Sequence, residues 1–235
     1  MKQHILILML IASMMAIGCL ENINLEPKEA TPAIIPEEFL QEKGWIQSGD
    51  AHNQTQEIEV SGVKVKMNMA QLTYIDTELQ QQIQQQIQQI QQQLPFEIKI
   101  DQIVTSQLST IRITFPIGIT LPSKMVLSKI DTKINSIAQK YNIKDFKVVN
   151  ETEITISSGD IASAKIYEGT IEYDTGSMTV RGIAASWSNS DSTIIAIGFV
   201  PYGDINLKIN TQNGSVKIDG EEEYKEVISL IQNVK

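Results

Sequence analysis

The chain has 235 residues, 42% of them hydrophobic, enough to bury one globular core. Its 19 basic and 28 acidic side chains give a formal charge of −9. Such a balance repels phosphate backbones, and no basic cluster is present to hold the chain on anionic lipid. Nucleic acid is thereby excluded as a partner, and any membrane attachment must be covalent or lie in an apolar segment. The one cysteine, Cys19, excludes an internal disulfide.

Met1-Lys2-Gln3-His4 is a short polar start with one firm positive charge, and the run from Ile5 to Ile17 is almost wholly apolar. Ala16-Ile17-Gly18-Cys19 follows. A positive start, a short apolar run and small residues at a cut site form the secretory pattern. As a membrane span, residues 5–20 fall short of the roughly 20 needed to cross the hydrocarbon. The small residue directly before the cysteine resembles the lipobox of bacterial and archaeal lipoproteins. That resemblance implies cleavage between Gly18 and Cys19, a thioether-linked diacylglycerol on Cys19, and a lipid-anchored location on the cell membrane, facing away from the cytoplasm. Residues 1–18 hold one base, Lys2, and no acid, so cleavage leaves a charge of −10. Two acyl chains at one site retain a protein without a second signal, each buried CH2 adding about 0.8 kcal/mol.

Residues 19–36 are expected to form a tether. Pro27, Pro32 and Pro36 favour extended backbone, and Glu21, Glu26 and Glu29 repel one another. The competing reading is a loop packed on the domain. Residues 37–235 form a single α+β domain on this reading.

Within that domain, Glu37-Glu38-Phe39-Leu40 makes a helical turn that Gly44 ends, and Trp45-Ile46 opens a strand. Apolar and polar residues alternate over 57–69, with a change of parity at Ser61-Gly62 that marks a hairpin. Residues 78–94 are mostly glutamine. Leu79, Ile83, Ile87, Ile90 and Leu94 recur at helical spacing, Thr77 with Gln80 fits a capping box, and Pro95 ends the segment. This is an amphipathic helix lying on a sheet, or a partner-docking surface. A strand over 103–115 precedes a second helix over 124–141, with Leu127, Ile130, Ile134, Ile137, Ala138 and Tyr141 as its apolar stripe. Four strands follow, separated by turns at Ser158-Gly159-Asp160, Asp174-Thr175-Gly176 and around Asn189-Ser190-Asp191. Phe146, Val148, Ile154 and Ile156 share one face in this reading. Residues 193–200 are apolar on both faces, which predicts a central strand. A short hairpin turning at Gln212-Asn213-Gly214 and a last helix over 221–234 close the chain. That helix faces Tyr224, Val227, Ile228 and Ile231 inward, and its acids gather at the N-terminus where the dipole favours them. The sum is an antiparallel meander with helices packed on it.

The helix 124–141, the meander 146–201 and the closing helix are similar in layout to the PsbP-like domain family. Val180-Arg181-Gly182-Ile183-Ala184-Ala185-Ser186-Trp187, followed by Ile197-Gly198-Phe199-Val200-Pro201, looks like that family's central hairpin. The resemblance implies an α-β-α sandwich, and it brings no metal-binding or photosystem-docking residue to any position here.

Chemistry is sparse. After the expected cleavage one histidine is left, His52, in the polar run Gly49-Asp50-Ala51-His52-Asn53-Gln54. It reads as a surface residue in a loop, and a hydrolase triad has no other usual base. One histidine and a lipidated cysteine do not make a zinc site. Asp174-Thr175-Gly176, Asn189-Ser190-Asp191 and Asp204-Ile205-Asn206 are oxygen-rich, match no calcium-loop spacing, and read as turns. Trp45 and Trp187 read as core residues before pocket residues. Asn53, Asn150 and Asn213 each head an N-x-Ser/Thr sequon. No catalytic residue, metal ligand or cofactor is expected, and Cys19 is the one named site. The expectation is an exported, membrane-anchored domain of non-enzymatic binding or interaction type, with a protein or small molecule as its unidentified partner. The alternatives are an envelope hydrolase using paired carboxylates, and an assembly factor acting through the glutamine-rich helix.

Overall fold

The computed structural model describes residues 26–60, 63–93, 105–116, 121–140, 143–173, 176–189, 192–209 and 212–235. Among these, ten strands form one antiparallel sheet. They are β1 (Trp45–Gln47), β2 (His52–Val60), β3 (Val63–Asp76), β4 (Gln107–Thr114), β5 (Lys144–Thr155), β6 (Ile161–Tyr173), β7 (Gly176–Ser188), β8 (Ser192–Pro201), β9 (Ile205–Ile209) and β10 (Gln212–Val216). The helices are α1 (Glu37–Glu42), α2 (Thr77–Gln92), α3 (Ser123–Lys140) and α4 (Gly220–Gln232).

The main order is β1-β3-β4-β8-β7-β6-β5, with β2 beside the first part of β3 and the β9–β10 hairpin joined to the start of β7. The expected central strand is β8, paired with β4 on one side and β7 on the other. Ile194 and Ala196 pack under α4 and Ile195 and Ile197 under α3, so both faces of β8 are covered, which is why its sequence is apolar without alternation. Val60 pairs with Val63, so β2 and β3 meet across residues 61 and 62, where the parity change was read as a hairpin.

Helices cover both faces, giving three layers. On one face α4 packs Tyr224, Val227, Leu230 and Ile231 against Ile183, Ala185, Trp187, Ile194 and Ala196. A Cβ on Gly198 would lie 2.4 Å from Val227 Cγ1, so the helix seats this deep because β8 offers a glycine there. On the other face α3 packs Val126, Leu127 and Ile130 against Met67, Met69, Ile111, Ile113 and Tyr167. A third core lies where α2 sets Leu79 and Ile83 on Met178, Val180, Ile205, Leu207 and Val216.

Several expectations are corrected. Gln212-Asn213-Gly214 do not turn the last hairpin but lie inside β10, where Gln212 already pairs with Ile209. His52 is the first residue of β2, paired with Gln71, and not in a loop. Phe146 and Ile154 lie on opposite faces: register shifts flank Val148, so an extra residue reverses the parity. The strand expected from residue 103 begins at Gln107.

The proposed tether also differs. Residues 26–36 form a strap along β3 and β4, on the α4 face, with Ala30, Ala33 and Ile35 buried. The strap's carbonyls find donors on the sheet: Thr110 Oγ1 to Ala33 O at 2.6 Å, and Thr114 Oγ1 and Asn68 Nδ2 to Lys28 O at 2.6 and 2.9 Å. Ile34 and Lys235 exchange two backbone hydrogen bonds, at 3.1 and 2.8 Å. The prolines do hold an extended chain, as read. Small side chains and a row of hydroxyl and amide donors then let that chain lie on the sheet.

Candidate functional site

Cys19 and Gly18 lie outside the described residues. The described residues place two ionic clusters at the head of α4.

The first is a group of carboxylates where β1, β3, α2 and α4 meet. Asp76 ends β3 and caps α2, its Oδ1 accepting from Leu79 N at 2.8 Å. The N-cap is therefore Asp76, one residue before the capping box expected at Thr77; the Thr77 hydroxyl instead donates to Gly44 O at 2.7 Å. Gly44 adopts φ +70°, and a Cβ on it would lie 2.7 Å from Glu78 Cβ, so the chain can cross the head of α2 only as glycine. The backbone of Asp76 is fixed as well: its N–H donates to Ser106 O at 3.0 Å, and its carbonyl accepts from Thr105 Oγ1 at 2.7 Å.

Glu223, in the first turn of α4, faces Asp76 and accepts from Ser106 Oγ at 2.8 Å. Burial, with the Asp76 carboxylate beside it, pushes the Glu223 carboxyl up to about 8. At neutral pH it therefore keeps a proton, shared with Asp76. Burial also raises Asp76. Glu226, one turn on, is raised by burial and accepts from the indole N–H of Trp45.

Paired carboxylates of shifted pKa are what acid-base chemistry requires. Here Asp76 is buried at 3% exposed, Glu223 is half-buried, and the Ser106 hydroxyl that bonds Glu223 is buried. What the arrangement does is fasten the N-termini of α2 and α4 to β1 and β4 through a shared proton and two hydroxyl donors.

The second cluster is centred on Arg181 of β7. Its Nε and Nη2 donate to Glu168, its cross-strand neighbour on β6, and its Nη1 reaches Glu221 of α4 at 3.5 Å. The guanidinium carbon lies 3.4 Å from the centre of the Tyr202 ring and 5.1 Å from that of Tyr224. All three guanidinium nitrogens thus lie within reach of a carboxylate.

The remaining candidates are scattered. His52 is exposed on β2, far along β3 from Asp76. Asn189 Oδ1 accepts from Ser192 N at 2.8 Å in the turn before β8, Asp204 pairs with Lys217, and Asp174 and Thr175 lie outside the described residues. Among the described residues no group of three or more His, Cys, Asp and Glu is placed to hold a metal. Trp45 and Trp187 are both core residues. Asn53 and Asn150 are exposed, on β2 and β5, and Asn213 lies in β10. Among the described residues no helix is long and apolar enough to cross a membrane.

The acid pair was not legible in the sequence, because Asp76 and Glu223 are 147 positions apart and meet only through the sheet order.

No curated protein matches the chain. A family model described as a domain of unknown function, DUF6517, matches residues 32–235. The match begins inside the strap, five residues before the expected start of the domain, and runs through α4 to the last residue. It covers well over half of the sequence, and the chain belongs to the DUF6517 family.

Proposed function

We propose that this chain is an exported lipoprotein, cleaved before Cys19 and held by lipid on that residue, which displays a non-enzymatic binding or interaction domain outside the cytoplasm. The observation that carries the reading is Gly18-Cys19 at the end of an uncharged apolar run. The strap adds support, since the fold begins by Glu26, a few residues after the anchor point. The layout similarity to PsbP-like domains also suits a binding module.

The test is the full chain expressed in a secreting prokaryotic host. Wild type is expected in the membrane fraction, with an intact mass that starts at Cys19 and carries a diacylglycerol. Cys19→Ala is expected to lose both the lipid mass and the membrane. A wild-type chain that stays in the membrane uncleaved and without lipid would sink the reading.

The competing reading, a carboxylate hydrolase, draws on Asp76, Glu223 and Glu226. The burial of Asp76, with the hydrogen bonds that tie Glu223 to Ser106 and Glu226 to Trp45, favours a structural fastening. Loss of fold rather than loss of turnover in Asp76→Asn would agree with that.

A further inference from the structure

We infer that Asn53 on β2 and Asn150 on β5 are acceptors for N-linked oligosaccharide, so that the free edges of the sheet are modified after export. This rests on the export proposed above, because a glycan carried on a polyprenyl phosphate meets a chain only outside the cytoplasm.

A sequon alone is a weak sign, and its placement gives it weight. Among the described strand residues the asparagines are Asn53 in β2, Asn68 in β3, Asn150 in β5, Asn206 in β9 and Asn213 in β10. Among the described residues β2 pairs with β3 alone, β5 with β6 alone and β10 with β9 alone, so each has a free side. Asn68, in contrast, pairs with Thr55 on one side and Thr114 on the other. Asn206 pairs with Ser215 and with Ser177. The asparagines on free-sided strands each head a sequon, as Asn53-Gln54-Thr55, Asn150-Glu151-Thr152 and Asn213-Gly214-Ser215. Those between two neighbours do not: they begin Asn68-Met69-Ala70 and Asn206-Leu207-Lys208.

Access agrees at the two sites named. Asn53 and Thr55 are exposed, as are Asn150, Glu151 and Thr152. The edges also need cover. A free strand edge is a row of unpaired N–H and C=O groups, a template for another chain. β2 runs 9 residues and β5 runs 12. Register shifts around Val148 blunt β5, yet Val148 and Val149 stay 39% and 40% exposed directly before Asn150. A bulky, hydrated glycan on Asn150 stands beside both valines and obstructs a second strand.

The transfer needs only a polyprenyl-phosphate-linked oligosaccharide and an exported transferase. The asparagine Nδ2 bonds to C1 of the first sugar, and the bond from C1 to the phosphate oxygen breaks. The lipid phosphate leaves with that electron pair, and Nδ2 gives up one proton. Nothing is oxidised or reduced.

The test uses the full chain, expressed in a secreting prokaryotic host whose own exported proteins carry glycans on N-x-Ser/Thr. The tryptic peptides that span Asn53 and Asn150 are weighed. Both are expected to carry the host's glycan mass in most copies. Thr152→Val alters an exposed side chain and keeps the asparagine; it is expected to strip the glycan from Asn150 alone, while Thr152→Ser retains it. Both peptides bare in a chain that begins at a lipidated Cys19 would overturn the glycosylation and leave the lipoprotein reading standing. Bare peptides in a chain that still holds residues 1–18 would overturn both. A glycan that persists on Asn150 in Thr152→Val would overturn the assignment of the sequon as its acceptor.

Discussion

Glu221, Glu222 and Glu223 open the same helix, yet they enter three environments. Glu221 turns toward Arg181 and accepts from the Tyr202 hydroxyl. Glu222 lies in solvent, 3.7 Å from Lys225, which is equally exposed. Glu223 is pressed against another acid. The Arg181 cluster and the Asp76 cluster thus flank one helix end with opposite electrostatics. The first is a set of opposite charges made strong by partial burial. The second is a set of like charges made tolerable by a proton. The helix dipole alone would favour all three acids alike. The sheet beneath decides their fates, through the arginine β7 supplies and the aspartate β3 supplies.

Removing the charge from the first cluster should break the comparison most severely. Arg181→Met leaves the half-buried Glu168 and the exposed Glu221 without their shared cation and takes that cation from beside two tyrosine rings. The expected loss is about 2–3 kcal/mol of unfolding free energy, read in urea at neutral pH. A loss below about 0.5 kcal/mol would mean the pair is no stronger than a surface one.

The second cluster should respond in the other direction and depend on pH. Glu223 binds its proton more tightly in the fold, at about 8, than its usual 4.5. Its contribution is therefore complete below about pH 4.5 and is lost as the pH rises toward 8, because the unfolded chain releases the proton first. Glu223→Gln keeps an acceptor for Ser106 and a donor for Asp76 without a titrating proton. It should match the wild type near pH 5 and exceed it at pH 9 by on the order of 1 kcal/mol, the partial exposure of Glu223 trimming the full linkage effect. A variant weaker than wild type at pH 9 would show that the proton is not shared in this way.

What the sequence disclosed follows the range of the forces involved. Helices and strands are local, and the period of Leu79, Ile83, Ile87 and Ile90 placed α2, with the first two buried and the next two half-buried. The doubly apolar run of β8 announced a central strand. The bulge at Val148 was hidden because an inserted residue changes parity without changing composition. The strap was hidden because what fastens it, Thr110, Thr114 and Asn68, are ordinary polar residues of two other strands. The carboxylate pair was hidden for the same reason. Non-local pairing brings Asp76 to Glu223, and no spacing in the chain encodes it.

The smallest expected effect sharpens the comparison furthest. Glu222→Gln makes the same chemical change as Glu223→Gln, one position earlier on the same turn. Glu222 has lost neither its water nor its freedom, and its backbone N–H stays bonded to Asp219 Oδ1 whichever side chain follows. The exposed pair with Lys225 contributes little. The expected cost is below about 0.5 kcal/mol in the same urea titration, with no gain at pH 9. If the two variants behaved alike at pH 9, relief of negative charge at the helix head would account for both, and the facing Asp76 would be irrelevant. If only Glu223→Gln gains, the effect belongs to the buried pair, and the sheet rather than the helix sets the electrostatics of this corner.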